Sequence, residues 1–87
     1  MTEWRRDFHL HPELGFNEFR TSSKVASLLK NFGIEVHQGV GGTGIVGILK
    51  NGKSERSIGL RADMDALPIK ETVKCLYSSK NESTMHA

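Results

Sequence analysis

The sequence predicts an α/β chain in which two helices are followed by three strands. Three observations carry this prediction. An apolar row at i, i+3, i+4 and i+7 spans residues 25–32, an apolar/polar alternation spans 34–38, and a β-branched run occupies 45–49. The elements follow in order. Thr2 is placed to cap a short first helix, with Glu3 near its positive end; Trp4, Phe8 and Leu10 give its apolar side, and Pro12 stops it. The turn His11-Pro12-Glu13-Leu14-Gly15 leads into a second helix expected to begin near Phe16 or Asn17. In that helix Val25, Leu28, Leu29 and Phe32 share one face, and Gly33 stands where a left-handed C-cap belongs.

Ile34-Glu35-Val36-His37-Gln38 reads as a half-buried strand, and Ile45-Val46-Gly47-Ile48-Leu49 as a buried one. Asn51-Gly52 carries a type I′ hairpin signal, so residues 57–62 are expected to return antiparallel to 45–49. Beyond Pro68 neither period survives, and the segment reads as loop.

At 87 residues the chain has room for one small domain or part of one. A chain of this length buries only about 60–65% of its unfolded surface, so its stability is expected to be marginal. The net charge of +2 is spread among both signs, with no basic run beyond Arg5-Arg6, which argues against a nucleic-acid-binding face. A single cysteine, Cys75, excludes an internal disulfide and fits a reducing compartment. No signal-like or membrane-length apolar run is present, so the expectation is a cytoplasmic protein without a membrane partner.

GVGGTG at 39–44 matches the glycine spacing of a dinucleotide-binding loop, and Asp63 follows at about the spacing of a ribose ligand. Such a loop works by opening a helix whose amides hold the pyrophosphate. Here the β-branched run follows instead, so the glycines are read as turn residues permitting positive φ.

Four histidines and Asp63-Met64-Asp65 are the candidates for chemistry. His9 and His11 could chelate a transition metal on an extended backbone, but not if the first helix runs through them, where their rings diverge. The bland alternative is a histidine near a helix C-terminus and another ordering a His-Pro turn. Asp63 and Asp65, an i, i+2 pair on an extended chain, could share a cation or an imidazole; equally, one could cap the next segment and the other be solvated. His37 reads as exposed, and Cys75 as a bystander.

Several segments together resemble the metal-dependent amidohydrolases of the aminoacylase, hippurate hydrolase and auxin-conjugate hydrolase group. They are the opening run from Trp4 to Phe16, the run 39–47, the string Gly59-Leu60-Arg61-Ala62-Asp63-Met64-Asp65-Ala66-Leu67-Pro68-Ile69, and Ser79-Lys80-Asn81 followed by Met85-His86-Ala87. The resemblance covers nearly the whole chain. It implies that residues 1–87 are an N-terminal piece of the mixed-sheet catalytic domain of a zinc-peptidase-like fold, with no second domain. It further implies hydrolysis of the amide bond of an N-acyl amino acid at a two-metal centre of zinc or manganese.

In the resemblance, Asp65 takes a supporting position that orients a metal-bound histidine or the bridging water. Asp63 stands where the broader superfamily has a histidine ligand, and His86 matches a motif residue that is not a usual metal ligand. The expected Cys and His ligands, and the glutamate base, would lie beyond Ala87, so the chain alone is expected to bind metal weakly and not to catalyse. The competing expectation is a non-catalytic remnant or interaction fragment. Either way, strands that begin a larger sheet leave an edge and a face open, and self-association through that surface is expected. The chain departs from the family pattern at Glu82-Ser83-Thr84, where Pro-Gly or Asp-Gly usually precedes the Met, and more loosely at 72–76.

Overall fold

The computed structural model describes residues 1–87 and holds four elements: α1 (Thr2–Leu10), α2 (Phe19–Asn31), β1 (Glu35–Val40) and β2 (Gly44–Ile48). Helix α1 begins one residue earlier than a Thr2 cap requires. Met1 is its N-cap, without a side-chain cap bond, and Glu3 lies in the first turn as expected. The helix ends at Leu10, and His11 closes it through its backbone N–H to the carbonyls of Asp7 and Phe8.

Helix α2 starts at Phe19, later than the sequence predicts, because residues 14–17 form a turn instead. The Asn17 N–H bonds the Leu14 carbonyl at 3.0 Å, and Phe16 takes a positive φ of 65°. That conformation is rare for a bulky side chain and bars Phe16 from the helix. The first free amides of α2 are satisfied from upstream. The Glu13 carboxylate accepts the N–H groups of Arg20 (3.0 Å) and Thr21 (2.6 Å), as an N-cap side chain would. At the other end Gly33 has φ +78°, the left-handed stop that the sequence places there.

β1 and β2 pair antiparallel, from Glu35 opposite Ile48 to Val40 opposite Gly44, with a bulge at Gly39. The turn between them is closed by the glycines. Gly41 and Gly42 both have positive φ, and a Cβ on Gly44 would run into the Val40 carbonyl oxygen. No helix begins at Gly44, so the glycine run is a hairpin turn. Leu29 of α2 and Ile34 cover Gly47, where an added Cβ would meet Ile34 Cγ2 at 3.1 Å.

Three expectations fail here. Residues 57–62 form no strand, and no hairpin closes at Asn51-Gly52. A type I′ turn needs positive φ at both central residues, and only Gly52 (φ +81°) has it. Nor is the 45–49 run buried: Val46 is 43% exposed and Leu49 75%. The sheet has two strands, and α2 packs against both.

Further on, the chain returns to the N-terminal region through isolated bridges. Leu14 pairs parallel to Ala66, and Leu67 antiparallel to Met85. Between 68 and 87 there is no helix or strand, as the sequence predicts. The unusual Glu82-Ser83-Thr84 turn is closed without Pro or Gly. Asn81 Oδ1 accepts the Ser83 N–H at 3.1 Å, and the Ser79 hydroxyl reaches the Thr84 carbonyl at 2.7 Å.

The core is small: Ala26 and Ala66 are the only fully buried apolar side chains. The radius of gyration is 15.0 Å, against about 12 Å for a compact domain of this length. No helix is long and apolar enough to cross a membrane.

Candidate active-site cleft

A cleft of about 920 Å³ runs between the N-terminal turn, the tip of the β1–β2 hairpin and the segment 61–65, with His86 on its wall. Each rim is set by local structure. The bridge Leu14–Ala66 and the bond from Ala66 N–H to the Glu13 carbonyl (2.7 Å) lay residues 61–66 against the first turn. The bridge Leu67–Met85 then brings His86 beside Asp65.

Asp65 and Glu18 converge on Gly15. A Cβ placed on Gly15 would stand 3.7 Å from Glu18 Oε1 and 4.0 Å from Asp65 Oδ2, so a side chain there would sit against both carboxyls. Asp63 lines the same cleft but is held by Arg61 at 2.8 Å in an exposed pair. Of the two aspartates, Asp65 is therefore the one facing the imidazole of His86, and Asp63 is the solvated partner. Burial pushes the His86 imidazole below its ordinary value of 6.5, and the charge of His9 pushes it the same way; Asp65 acts in the opposite sense. His86 Nε2 is buried without a hydrogen-bond partner.

Glu18 is the residue that sequence reasoning missed. It is 6% exposed, and its Oε2 accepts the hydroxyl of Thr43, itself 6% exposed, from the hairpin tip. An acid just ahead of a helix is the one signal that could have drawn attention to it. Its partner lies 25 residues on, where no local pattern points.

The histidine pair does not chelate. His11 lines a separate small hollow with Pro12 and Arg20, while His9 lines the main cleft. His9 Nε2 lies 2.7 Å from Glu71 Oε1, both side chains being largely buried, so His9 is neither an exposed nor a capping residue. Glu71 also accepts the Ser79 N–H, and the His9 bond followed by this one holds its carboxyl below the ordinary value of 4.5. Tyr77 packs edge-on to His9, with the Arg6 guanidinium 4.6 Å from its ring centre. This cluster fastens the loop 71–79 to α1. His37 is exposed, 3.7 Å from Glu35, and Cys75 is exposed.

No group of three or more His, Cys, Asp or Glu side chains is placed to hold a metal ion. Three of the donors in the cleft are engaged within the chain: His9 with Glu71, Asp63 with Arg61 and Glu18 with Thr43.

No protein-family model matches the chain. Individual relatives do. It is 54% identical over 83 residues to the hippurate hydrolase of Campylobacter jejuni, covering 95% of this chain and 22% of that protein. It is 46% identical over 84 residues to thermostable carboxypeptidase 2 of Saccharolobus solfataricus, covering 95% and 21%. It is 42% identical over 87 residues to the IAA-amino acid hydrolase ILR1-like 2 of Arabidopsis thaliana, covering 100% and 20%. The chain thus spans about a fifth of the length of these relatives.

Among solved structures, a Bacillus subtilis dinuclear metal-binding peptidase of the M20 family matches with a TM-score of 0.91 and 38% identity, over 98% of this chain and 24% of that one. A Staphylococcus aureus protein described as an aminohydrolase matches with a TM-score of 0.92 and 41% identity, over 99% and 23%. The two helices, the glycine-closed hairpin and the cleft are therefore an incomplete α/β unit of a larger fold, and the chain's relatives are hippurate hydrolase, the auxin-conjugate hydrolases and the M20 peptidases, an N-terminal stretch of which it matches along nearly its whole length.

Proposed function

We propose that the chain is the N-terminal part of a cytoplasmic, metal-dependent hydrolase that cleaves the amide bond of N-acyl amino acids, hippurate-like or related conjugates. The observation that carries the reading is the cleft that Asp65 and His86 line together, within a chain that resembles these hydrolases along its whole length. The names of the relatives share one chemistry, release of an amino acid from an amide or peptide bond, which supports hydrolysis of such a bond.

In this reading the chain's own residues do positional work. Asp65 bears on the imidazole of His86, and the Leu67–Met85 bridge fixes their separation. Glu18 and Thr43 hold the hairpin tip on the opposite rim, so the cleft keeps its width when a substrate enters. The metal ions, zinc or manganese, would take their Cys and His ligands from residues outside this chain. By itself the chain is expected to bind metal weakly and to give only the uncatalysed rate. Association through its open sheet surface belongs to the same reading.

The test is hydrolysis of hippurate, an N-acetyl amino acid and a dipeptide by a polypeptide in which this chain replaces the matching quarter of the S. aureus protein. Metal-dependent turnover on the N-acyl substrates, lowered at least about tenfold by Asp65→Ala and retained by Lys53→Ala, is expected. A folded, metal-loaded polypeptide that cleaves none of the three, or an Asp65→Ala variant with full kcat/KM, would sink the reading.

A further inference from the structure

The cleft wall that carries His86 belongs to no helix or strand, so side chains must hold it in place. Glu71 does this with both carboxylate oxygens. Its Oε1 takes the His9 ring at 2.7 Å, and its Oε2 accepts the Ser79 N–H at 2.5 Å. The first contact reaches back 62 residues to the last turn of α1, and the second reaches forward 8. These two bonds also keep the carboxyl below 4.5, so it is ionised at neutral pH and His9 Nε2 is the donor. Both side chains of the pair are largely buried, and water competes little for the bond.

The residues on either side of the Glu71–Ser79 bond behave differently. Between its ends, 72–78 bonds largely to itself. The Ser78 hydroxyl accepts the Cys75 N–H at 2.6 Å and reaches the Val73 carbonyl at 3.0 Å, while Val73 and Leu76 stand in solvent. Past Ser79 the chain is tied at each step to the body of the molecule. The Lys80 N–H bonds the Leu10 carbonyl at 3.0 Å, and the Ser79 hydroxyl bonds the carbonyl of the buried Thr84 at 2.7 Å. Met85 and Leu67 then exchange backbone bonds at 3.0 and 2.8 Å, and His86 follows. Consecutive bonds therefore run from His9 through Glu71 and Ser79 to Thr84, two residues before His86. Without Glu71 the exposed loop would have an open base, and its motion would pass into the cleft wall.

We infer that Glu71 is a positioning residue of the cleft: by joining His9 to Ser79 it closes the loop 71–79 at its base and fixes where His86 stands on the wall. The loop 72–78 can then move without moving the site. Such control matters because a reacting group displaced by about 1 Å can cost a hundredfold in rate. The inference rests on the reading above only for what the cleft does to a substrate; the placement of His86 does not depend on it.

NMR of the 87-residue chain tests this, through the His86 ring signals and amide exchange. In Glu71→Ala the His86 ring signals should move, and the amides of Lys80 and Met85, whose bonds Glu71 does not itself make, should exchange at least about tenfold faster. The amides of α2 should stay within about twofold of wild type. Glu71→Gln keeps an oxygen for the Ser79 N–H and, at about pH 8, an N–H for a neutral His9 ring, so it should leave His86 near its wild-type position. Leu76→Ser, at the exposed loop, should do the same. If Glu71→Ala does not fold, Glu71→Asp is read in its place with the same expectations, since a carboxyl one methylene shorter cannot reach both partners. Unmoved His86 signals in the broken variant would overturn the inference. Equal acceleration in α2 would also overturn it, because that is general loosening and not positioning. So would a Glu71→Gln or Leu76→Ser chain that displaces His86 as far as Glu71→Ala does. No turnover is read, so an inactive enzyme would count against the proposed reaction alone.

Discussion

The stretch 13–48 and the stretch 49–65 carry similar kinds of residues but reach opposite ends. In the first, every turn of chain is answered nearby. Glu13 bonds the start of α2, Gly33 ends it, the glycines fold β2 back onto β1, and Glu18 and Thr43 join helix to hairpin. In the second, Ile58 and Leu60 are as apolar as Leu29 and Ile34 and yet stand in solvent. A β-branched residue next to a turn is an offer of pairing, and the offer needs a partner within reach. The difference teaches that the stability of this chain sits in the α2–hairpin unit, and that 49–65 contributes shape without cohesion.

The comparison breaks most easily at Ala26. Ala26→Asp puts an unpaired carboxyl in the tightest point of the α2 face and should cost about 3 kcal/mol or more, enough to unfold so small a core. Loss of the far-UV helical signal at 25 °C checks it. A native-like spectrum would mean that α2 does not anchor the unit. Thr43→Val leaves the buried Glu18 carboxyl without its donor and should lower stability by about 2 kcal/mol in urea unfolding. Adding Glu18→Met should recover part of that loss, since an apolar pair leaves nothing unsatisfied.

Glu13→Gln weakens the cap on α2, by about 1 kcal/mol, and it also changes the acid limb. Burial raises the Glu13 carboxyl, but the Thr21 and Arg20 amides outweigh this and leave it below the ordinary 4.5. Asp7, held first by its bond to Arg20, lies below 3.8. Depressed carboxyls contribute stability that is fully present above their ordinary values and is lost as pH falls through the folded ones. Stability from these groups should thus be flat from pH 7 to 5 and fall below about 4.5, less steeply in Glu13→Gln. A wild-type profile that is already declining between pH 7 and 5 in step with these groups would contradict it. The smallest effect belongs to the open stretch. Ile58→Asp with Leu60→Asp should change the stability of the isolated chain by no more than about 0.5 kcal/mol, since both side chains already stand in solvent.

The helices were legible because their signals are local: the 25–32 row, the Pro12 stop and Gly33 act within a few residues. The antiparallel hairpin was assigned to the wrong turn for an equally physical reason. Asn51-Gly52 does turn the chain, with Gly52 at positive φ, but Asn51 does not join it, and the next strand finds no neighbour. In the cleft, Asp65 and His86 could be picked out only through family resemblance, because their meeting depends on the bridge between Leu67 and Met85. The Glu18–Thr43 and His9–Glu71 contacts join positions 25 and 62 residues apart, and no periodicity carries that information.

The cap supplied by Glu13 also sets an order of events. A residue five places ahead of the N-cap can bond the first amides of α2 only once the turn at 14–17 has formed. Turn and helix are then one kinetic unit, and the closing of a short loop precedes helix growth instead of following it. Replacing Glu13 should therefore slow refolding and leave the unfolding rate nearly unchanged, the mark of a contact already made at the folding barrier. A chain with so little core would begin folding at the turn that Glu13 closes.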